Sequence, residues 1–379
     1  MTLAPRTIAA RGHAPEHEPY GAAVPSLVPA TTYLRGEDYA LVTPGREYAR
    51  DDNPTLHAPE AALAALEGGD ALVFASGMAA ATTLLGTALN RGDVLVFPRY
   101  CYQGLRRWVN TELPRRGIEV REIDTSDLAQ VDAALAASPA PAMVWLETPA
   151  NPTWQVCDIA AIAARAKKAG ARTCVDCTVA TPVHTQALAL GADVVFHSAT
   201  KYLNGHSDVL AGALVFDAAQ SELLARVRLA RAQLGTALGP FEAWLLQRGL
   251  RTLFVRVERQ SATAAALAAK LAADARVIEV LYPGLPTFAG HDVARAQMRG
   301  GFGGMLSVRV AGGREGALAV ASRMRVFLRA TSLGGTESLV EHRATVEGEG
   351  SRAPADLLRL SIGLEDEADL WRDLRSSLT

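Results

Sequence analysis

The chain has 379 residues, 49% of them hydrophobic and 21% charged, with a net charge of −2. That balance belongs to a globular protein with room for two domains and a substantial core, and it gives no electrostatic case for nucleic acid or an anionic membrane. No run of about 18 apolar residues could cross a bilayer and the opening stretch lacks a secretory leader's apolar segment, so a cytoplasmic location is expected.

Residues 1–56 are rich in Pro, Gly and Arg and show little periodicity. They are expected to form an extended arm, of the kind that reaches onto a neighbouring subunit. From 57 to 239 short apolar runs ("ALVF", "VLVF", "IEVREI", "AMVWLE", "RTCVD", "DVVF", "GALVF") alternate with helical stretches such as "GMAAATTLLGTAL" and "DIAAIAARAKKAG". This rhythm predicts an α/β domain, a doubly wound, mostly parallel sheet covered on both faces. From 240 to 379 the rhythm loosens. A long helical region interrupted near Arg248 and Gly249 precedes "VIEVLYPG", "MLSVRV", a helix around 314–325, "LLRLSIGLE" and a terminal helix. A smaller α+β domain is expected there. The four cysteines are too few for a disulfide scaffold. Cys174 and Cys177 have C-x-x-C spacing but no second such pair, so no metal site is expected; they read either as a redox pair or as small core residues.

In an open α/β sheet, ligands gather beyond the carboxyl ends of the strands, so what each strand delivers there matters. The first run is followed by Ser76, Gly77 and Met78 at a helix start, which suits a phosphate or merely caps the helix. The second leads to Tyr102, which either stacks on a flat ligand or covers the strand end. The fourth ends in "ETPANPT", a rigid turn presenting Asn151, and the fifth in Asp176, a carboxylate that needs a partner. The sixth delivers Ser198, Thr200 and Lys201. That lysine either snorkels to solvent beside a structural Asp176 or, desolvated, becomes a nucleophile. Pyridoxal 5′-phosphate would use the whole set: a lysine for its aldehyde, a carboxylate for its ring nitrogen, a phosphate cradle and a face to stack on.

Residues 193–207, "DVVFHSATKYLNGHS", resemble the cofactor-lysine signature of the Cys/Met-metabolism, or trans-sulfuration, family of pyridoxal-phosphate enzymes. The likeness continues in "EYARDDNPT", "LEGGDALVFASGMAA", "ETPANPT", "VDCT", "GPFEAWLLQRGLRTL", "TSLGGTESL" and "LLRLSIGLED", in order along almost the whole chain. The resemblance implies the type I pyridoxal-phosphate (aspartate aminotransferase-like) fold and a homotetramer built from two dimers. It implies Lys201 as Schiff-base lysine, Asp176 on the ring nitrogen, Tyr102 as stacking phenol and Asn151 near the ring hydroxyl. Ser76, Gly77, Met78, Ser198 and Thr200 would hold the phosphate, joined by Tyr48 and Arg50 from the neighbouring subunit. Arg359 would clamp the substrate α-carboxylate and Ser338 would touch substrate. Lys201 and Tyr102 would move protons.

The resemblance further implies γ-elimination or γ-replacement on cystathionine or a related γ-substituted amino acid. Gly104 stands where methionine γ-lyases carry a cysteine. Glu47 and Glu337 either receive the distal ammonium of cystathionine or serve as an arm residue and a loop cap. Where many members continue with His-Pro after "ESL", this chain reads "VEHRATVEG", which adds Arg343. The alternatives are a cystathionine β-lyase and a protein that binds the cofactor without turnover; no G-x-G-x-x-G follows a predicted strand to support a dehydrogenase.

Overall fold

The computed structural model describes residues 3–12 and 21–378. The seven apolar runs of the first half pair into one sheet: β1 (Asp70–Phe74), β2 (Val94–Pro98), β3 (Glu119–Ile123), β4 (Met143–Glu147), β5 (Arg172–Asp176), β6 (Val194–His197) and β7 (Gly212–Phe216). Their spatial order is β1-β7-β6-β5-β4-β2-β3. β7 runs antiparallel to both its neighbours, and every other pairing is parallel. Six strands therefore end at one edge of the sheet.

Both faces of this sheet are covered, which is why its central strands are apolar without alternation. Val73, Val144, Val175 and Val195 pack with Leu63, Ile162 and Leu246, from the helices Pro54–Glu67, Ile159–Lys168 and Pro240–Leu250. Leu72, Leu95, Trp145 and Leu214 face Leu84 and Val109, from the helices Gly77–Ala88 and Gln103–Arg115.

A second sheet combines β8 (Val277–Leu281), β9 (Met305–Val310), β10 (Leu328–Arg329), β11 (Leu339–His342) and β12 (Leu357–Ser361), in the order β10-β11-β12-β9-β8. The helix Leu253–Ala272 links the two cores: Leu253 and Val257 belong to the first, Ala264, Leu267 and Leu271 to the second. Trp154 Nε1 donates to Ser307 Oγ of β9 at 2.9 Å, and Ser307 Oγ donates to the carbonyl of Pro152 at 2.8 Å. The second sheet thereby holds the turn that follows β4.

The arm is not extended throughout. Pro5–Arg11 is a short helix that buries Ala9, held by an Arg6–Glu258 ion pair at 2.5 Å and by Arg251 donating to the carbonyl of Ala10. Residues 21–53 form only isolated bridges such as Thr32↔Tyr48. The arm meets the body at Asn53. Its side chain accepts from the Thr55 N–H, capping the helix Pro54–Glu67, and donates to the carbonyl of Val28.

All four cysteines are buried and free. Burial pushes every thiol up, Cys157 to about 12, so Cys174 and Cys177 are small core residues. Among the described residues no helix is long and apolar enough to cross a membrane.

Candidate active site

The carboxyl edge of the large sheet opens into a cavity of about 470 Å³, walled on its far side by the second sheet. β1 feeds its floor through Ser76, Gly77 and Met78. Ser76 caps the helix Gly77–Ala88, its Oγ accepting from the Ala79 N–H at 3.0 Å. The hydroxyl accepts in this cap, so its own proton is left for a partner in the cavity, and the amides of Gly77 and Met78, the first two of that helix, have no intrahelical carbonyl to donate to. A Cβ at position 77 would stand 3.1 Å from Ser198 Oγ, so glycine lets this helix end close against the β6 turn.

β4 and β5 end side by side on two carboxylates, Glu147 paired in register with Asp176. Both are buried. Asp176 accepts from the Thr178 N–H at 2.9 Å. Glu147 accepts from the N–H of Tyr102 at 2.7 Å and of Asn151 at 3.0 Å, and so fixes the two loops that carry those side chains. Burial raises Asp176 to about 6 and Glu147 to about 8, the latter also through the neighbouring Asp176. No lysine or arginine pairs with Asp176 among the described residues, so this floor favours a cationic partner from outside the chain.

β6 ends at His197, which turns away from the cavity into a fully buried contact with Glu67 at 2.6 Å. Ser198, Thr200 and Lys201 follow on the cavity wall. Thr200 Oγ1 both donates to and accepts from the backbone of Ala211, and the Ser198 N–H donates to Thr178 Oγ1. Lys201 Nζ donates to Ser332 Oγ at 2.8 Å. Burial, with Arg359 nearby, lowers its pKa to about 8. This answers the snorkelling alternative: the amine points inward, and burial disfavours its charged form.

The second sheet supplies Arg359 from β12. Its Nη2 donates to the carbonyl of Ser332 at 2.6 Å and pairs with Glu341, while Nη1 reaches Asn151 Oδ1 at 3.3 Å. Arg359 Nε is buried without a hydrogen-bond partner, and the residue lines the cavity. Tyr102 stands at the mouth, 48% exposed, its ring lying over the start of its own helix. A Cβ at position 104 would lie 2.6 Å from that ring, so Gly104 permits this pose.

Not every expected residue joins the cavity. Ser338 is wholly buried: its hydroxyl and its N–H donate to Glu365, and its Oγ accepts from the Gly363 N–H. Ser332, six positions earlier in the same block, takes the place by the lysine, held there by a φ of +81°. Both serines read alike in sequence; only the path of the turn separates them. Glu337 lies outside the lining, accepting from Ser207 and Thr336. Glu47 pairs with Arg35 on the arm. Tyr48 and Arg50 are exposed away from this cavity, the guanidinium 4.9 Å from the Tyr48 ring centre. Glu147 is a site residue that sequence reading passed over, although it carries the strand-end signal that marked Asp176.

Pyridoxal phosphate fits these groups. A lysine amine of lowered basicity, a carboxylate floor lacking a cation and two free amides at a helix start face one space. The comparisons agree. A model for the Cys/Met metabolism PLP-dependent enzymes matches residues 6–379. The cystathionine gamma-synthase of Mycobacterium tuberculosis is 45% identical over 88% of this chain and 86% of its own, and the L-methionine gamma-lyase of Pseudomonas putida 40% identical over 88% and 85%. The crystal structure of cystathionine gamma synthase from Xanthomonas oryzae pv. oryzae in complex with cystathionine superposes with a TM-score of 0.94, at 37% identity, over 100% of this chain and 98% of that one. A match of this length and identity, over a cavity suited to that cofactor, makes the chain a member of the Cys/Met metabolism family of PLP-dependent enzymes.

Proposed function

We propose that this enzyme breaks or exchanges the bond at the γ-carbon of cystathionine or a related γ-substituted amino acid. The observation that carries this reading is the meeting of Lys201, Asp176 and Arg359 around one cavity. A binder without turnover would have no use for a carboxylate clamp opposite a nucleophilic lysine. The names of the relatives, a cystathionine gamma-synthase and an L-methionine gamma-lyase, support γ-chemistry.

When bound, the cofactor supplies an aldehyde for the substrate amine and a protonated ring that accepts negative charge from the α-carbon. Asp176 would be the anion that keeps the ring nitrogen protonated. The Gly77 and Met78 amides, with the Ser76 and Ser198 hydroxyls and with Thr200, whose Oγ1 would have to leave the Ala211 carbonyl, would hold the phosphate. Asn151 offers its amide to the ring hydroxyl. Arg359 would hold the substrate α-carboxylate, fixing which α-carbon bond faces Lys201. Lys201, its amine released, takes the α-proton; an amine whose pKa lies near 8 is largely ready for this at mildly alkaline pH. Ser332 holds Nζ on that line. Tyr102, at the mouth, is placed to exchange a proton with the departing group.

We assign the phosphate contacts of Tyr48 and Arg50 to a neighbouring copy, since both side chains face away from their own cavity. That reading goes with a dimer whose sites are shared, pairing into a tetramer, and with a cytoplasmic location; the boundary between the two bodies we place within the helix Leu253–Ala272 rather than near residue 240, since Leu246, Leu253 and Val257 pack in the first core. Glu47 and Glu337 then select the distal ammonium only if a neighbour or a loop change brings them to the channel.

Product analysis tests the reaction. Incubated with L-cystathionine, the reconstituted enzyme is expected to yield 2-oxobutanoate, ammonia and cysteine. Pyruvate and homocysteine alone would overturn γ-cleavage and establish β-elimination.

A further inference from the structure

The segment after "TSLGGTESL" carries a charge arrangement that the reaction above leaves unused. β11 sets Glu341 directly across from Arg359 in β12, so the two side chains emerge together on one face. One oxygen of Glu341 pairs with Arg359, the clamp proposed above for the substrate. The other accepts from Arg343 Nη1 at 3.0 Å. Arg343 is tied in turn by its Nε to Glu347 at 2.8 Å, one helical turn on. All four side chains are buried, and Arg343 and Arg359 both line the cavity. The charges balance, two positive against two negative.

Delete Arg343 and the balance fails. Among the described residues Glu341 is then left with Arg359 as its sole cation and Glu347 with none, in a setting where an unpaired buried charge is costly. Glu341, already on the guanidinium, would compete with the incoming carboxylate. Resting on the reading of Arg359 as the α-carboxylate clamp, we propose that Arg343 is a positioning residue that neutralises Glu341 and thereby keeps Arg359 open to the substrate. Arg343 does not touch the reacting atoms. It acts through Glu341, and the basicity of Lys201, lowered chiefly by burial, is lowered further by both arginines and raised by Glu341, consistent with these charges facing one space.

The test compares two ligands on the holoenzyme by their absorbance titrations. L-Norleucine has an α-carboxylate and no leaving group; n-pentylamine is the same chain without the carboxylate. Arg343→Met should weaken norleucine by about tenfold or more, as expected for an uncompensated charge beside a recognised one, and leave pentylamine unchanged. Glu341→Gln added to Arg343→Met should bring norleucine back to within about threefold of the parent, because the competitor has gone with its neutraliser. Norleucine unaffected by Arg343→Met, or a double variant as weak as the single one, would overturn the proposal. Should Arg343→Met fail to fold, the double variant, which removes both charges, decides alone: near-parent affinity supports the role, and a tenfold loss overturns it. Arg359→Leu separates the two readings, since it must erase norleucine's advantage over pentylamine if Arg359 is the clamp at all.

Discussion

Lys201 joins two demands in one side chain: it must capture an aldehyde and later accept a proton, and both need the neutral amine. Its pKa of about 8 predicts that cofactor capture by the apoprotein speeds up as pH rises through about 8 and then levels, because the reactive fraction grows until the amine is fully deprotonated. Stopped-flow absorbance at several pH values measures this; a profile still climbing steeply near the ordinary lysine range would contradict it. Lys201→Ala should lose turnover altogether while the cavity still binds the phosphate. The same scale shows where sequence reading stops. Lys201 and Asp176 were legible because a charge at or just past the end of an apolar strand demands an explanation, whereas Arg359, in the middle of β12, was reached only through the family resemblance. Ser332 was not, because which of two serines in one glycine-rich block faces the lysine depends on a backbone turn taken at positive φ.

Among the elements, the strands of the large sheet were readable as apolar runs, since cover on both faces leaves no polar positions to disguise them. β10, β11 and the helix Arg343–Glu347 were not, for they are only two, four and five residues long and exist through the ladder from β12 to β11 to β10 and through the helix's own ion pairs. The short helix Pro5–Arg11 was missed for the same reason: its hold is a docking contact with Glu258, not a periodicity of its own. The terminal helix Glu367–Ser377 offers a direct test of such tertiary holds. Its Asp373 is buried and accepts from three successive amides, Arg325, Val326 and Phe327, at 2.8–3.0 Å. Asp373→Ala strands those donors and should destabilise the small sheet by about 3 kcal/mol. Urea unfolding should shift accordingly, whereas Asp369→Ala on the exposed side of the same helix should barely move it.

For the molecule as a whole, the arm poses the question of what completes the site. Arg50 and Tyr48 stand exposed on one copy while the cavity holding Lys201 lies elsewhere. If neighbours exchange these residues, mixing inactive Lys201→Ala with a Tyr48→Phe, Arg50→Ala double variant should restore activity after subunit exchange, since one site in a mixed dimer then receives both intact halves. Activity no higher than either parent would place the arm's role within its own chain.

One feature of the fold bears on a hazard that sulfur chemistry brings. An enzyme that releases cysteine or homocysteine works in a bath of nucleophilic thiols, which exchange with any accessible cystine or sulfenate on the protein. Here every cysteine is packed away and its ionisation suppressed, Cys157 to about 12, and a glycine occupies the position beside the tyrosine at the mouth. The catalyst is thereby insulated from its own product: native protein should keep full activity in iodoacetamide and take up the label only once urea has opened the core.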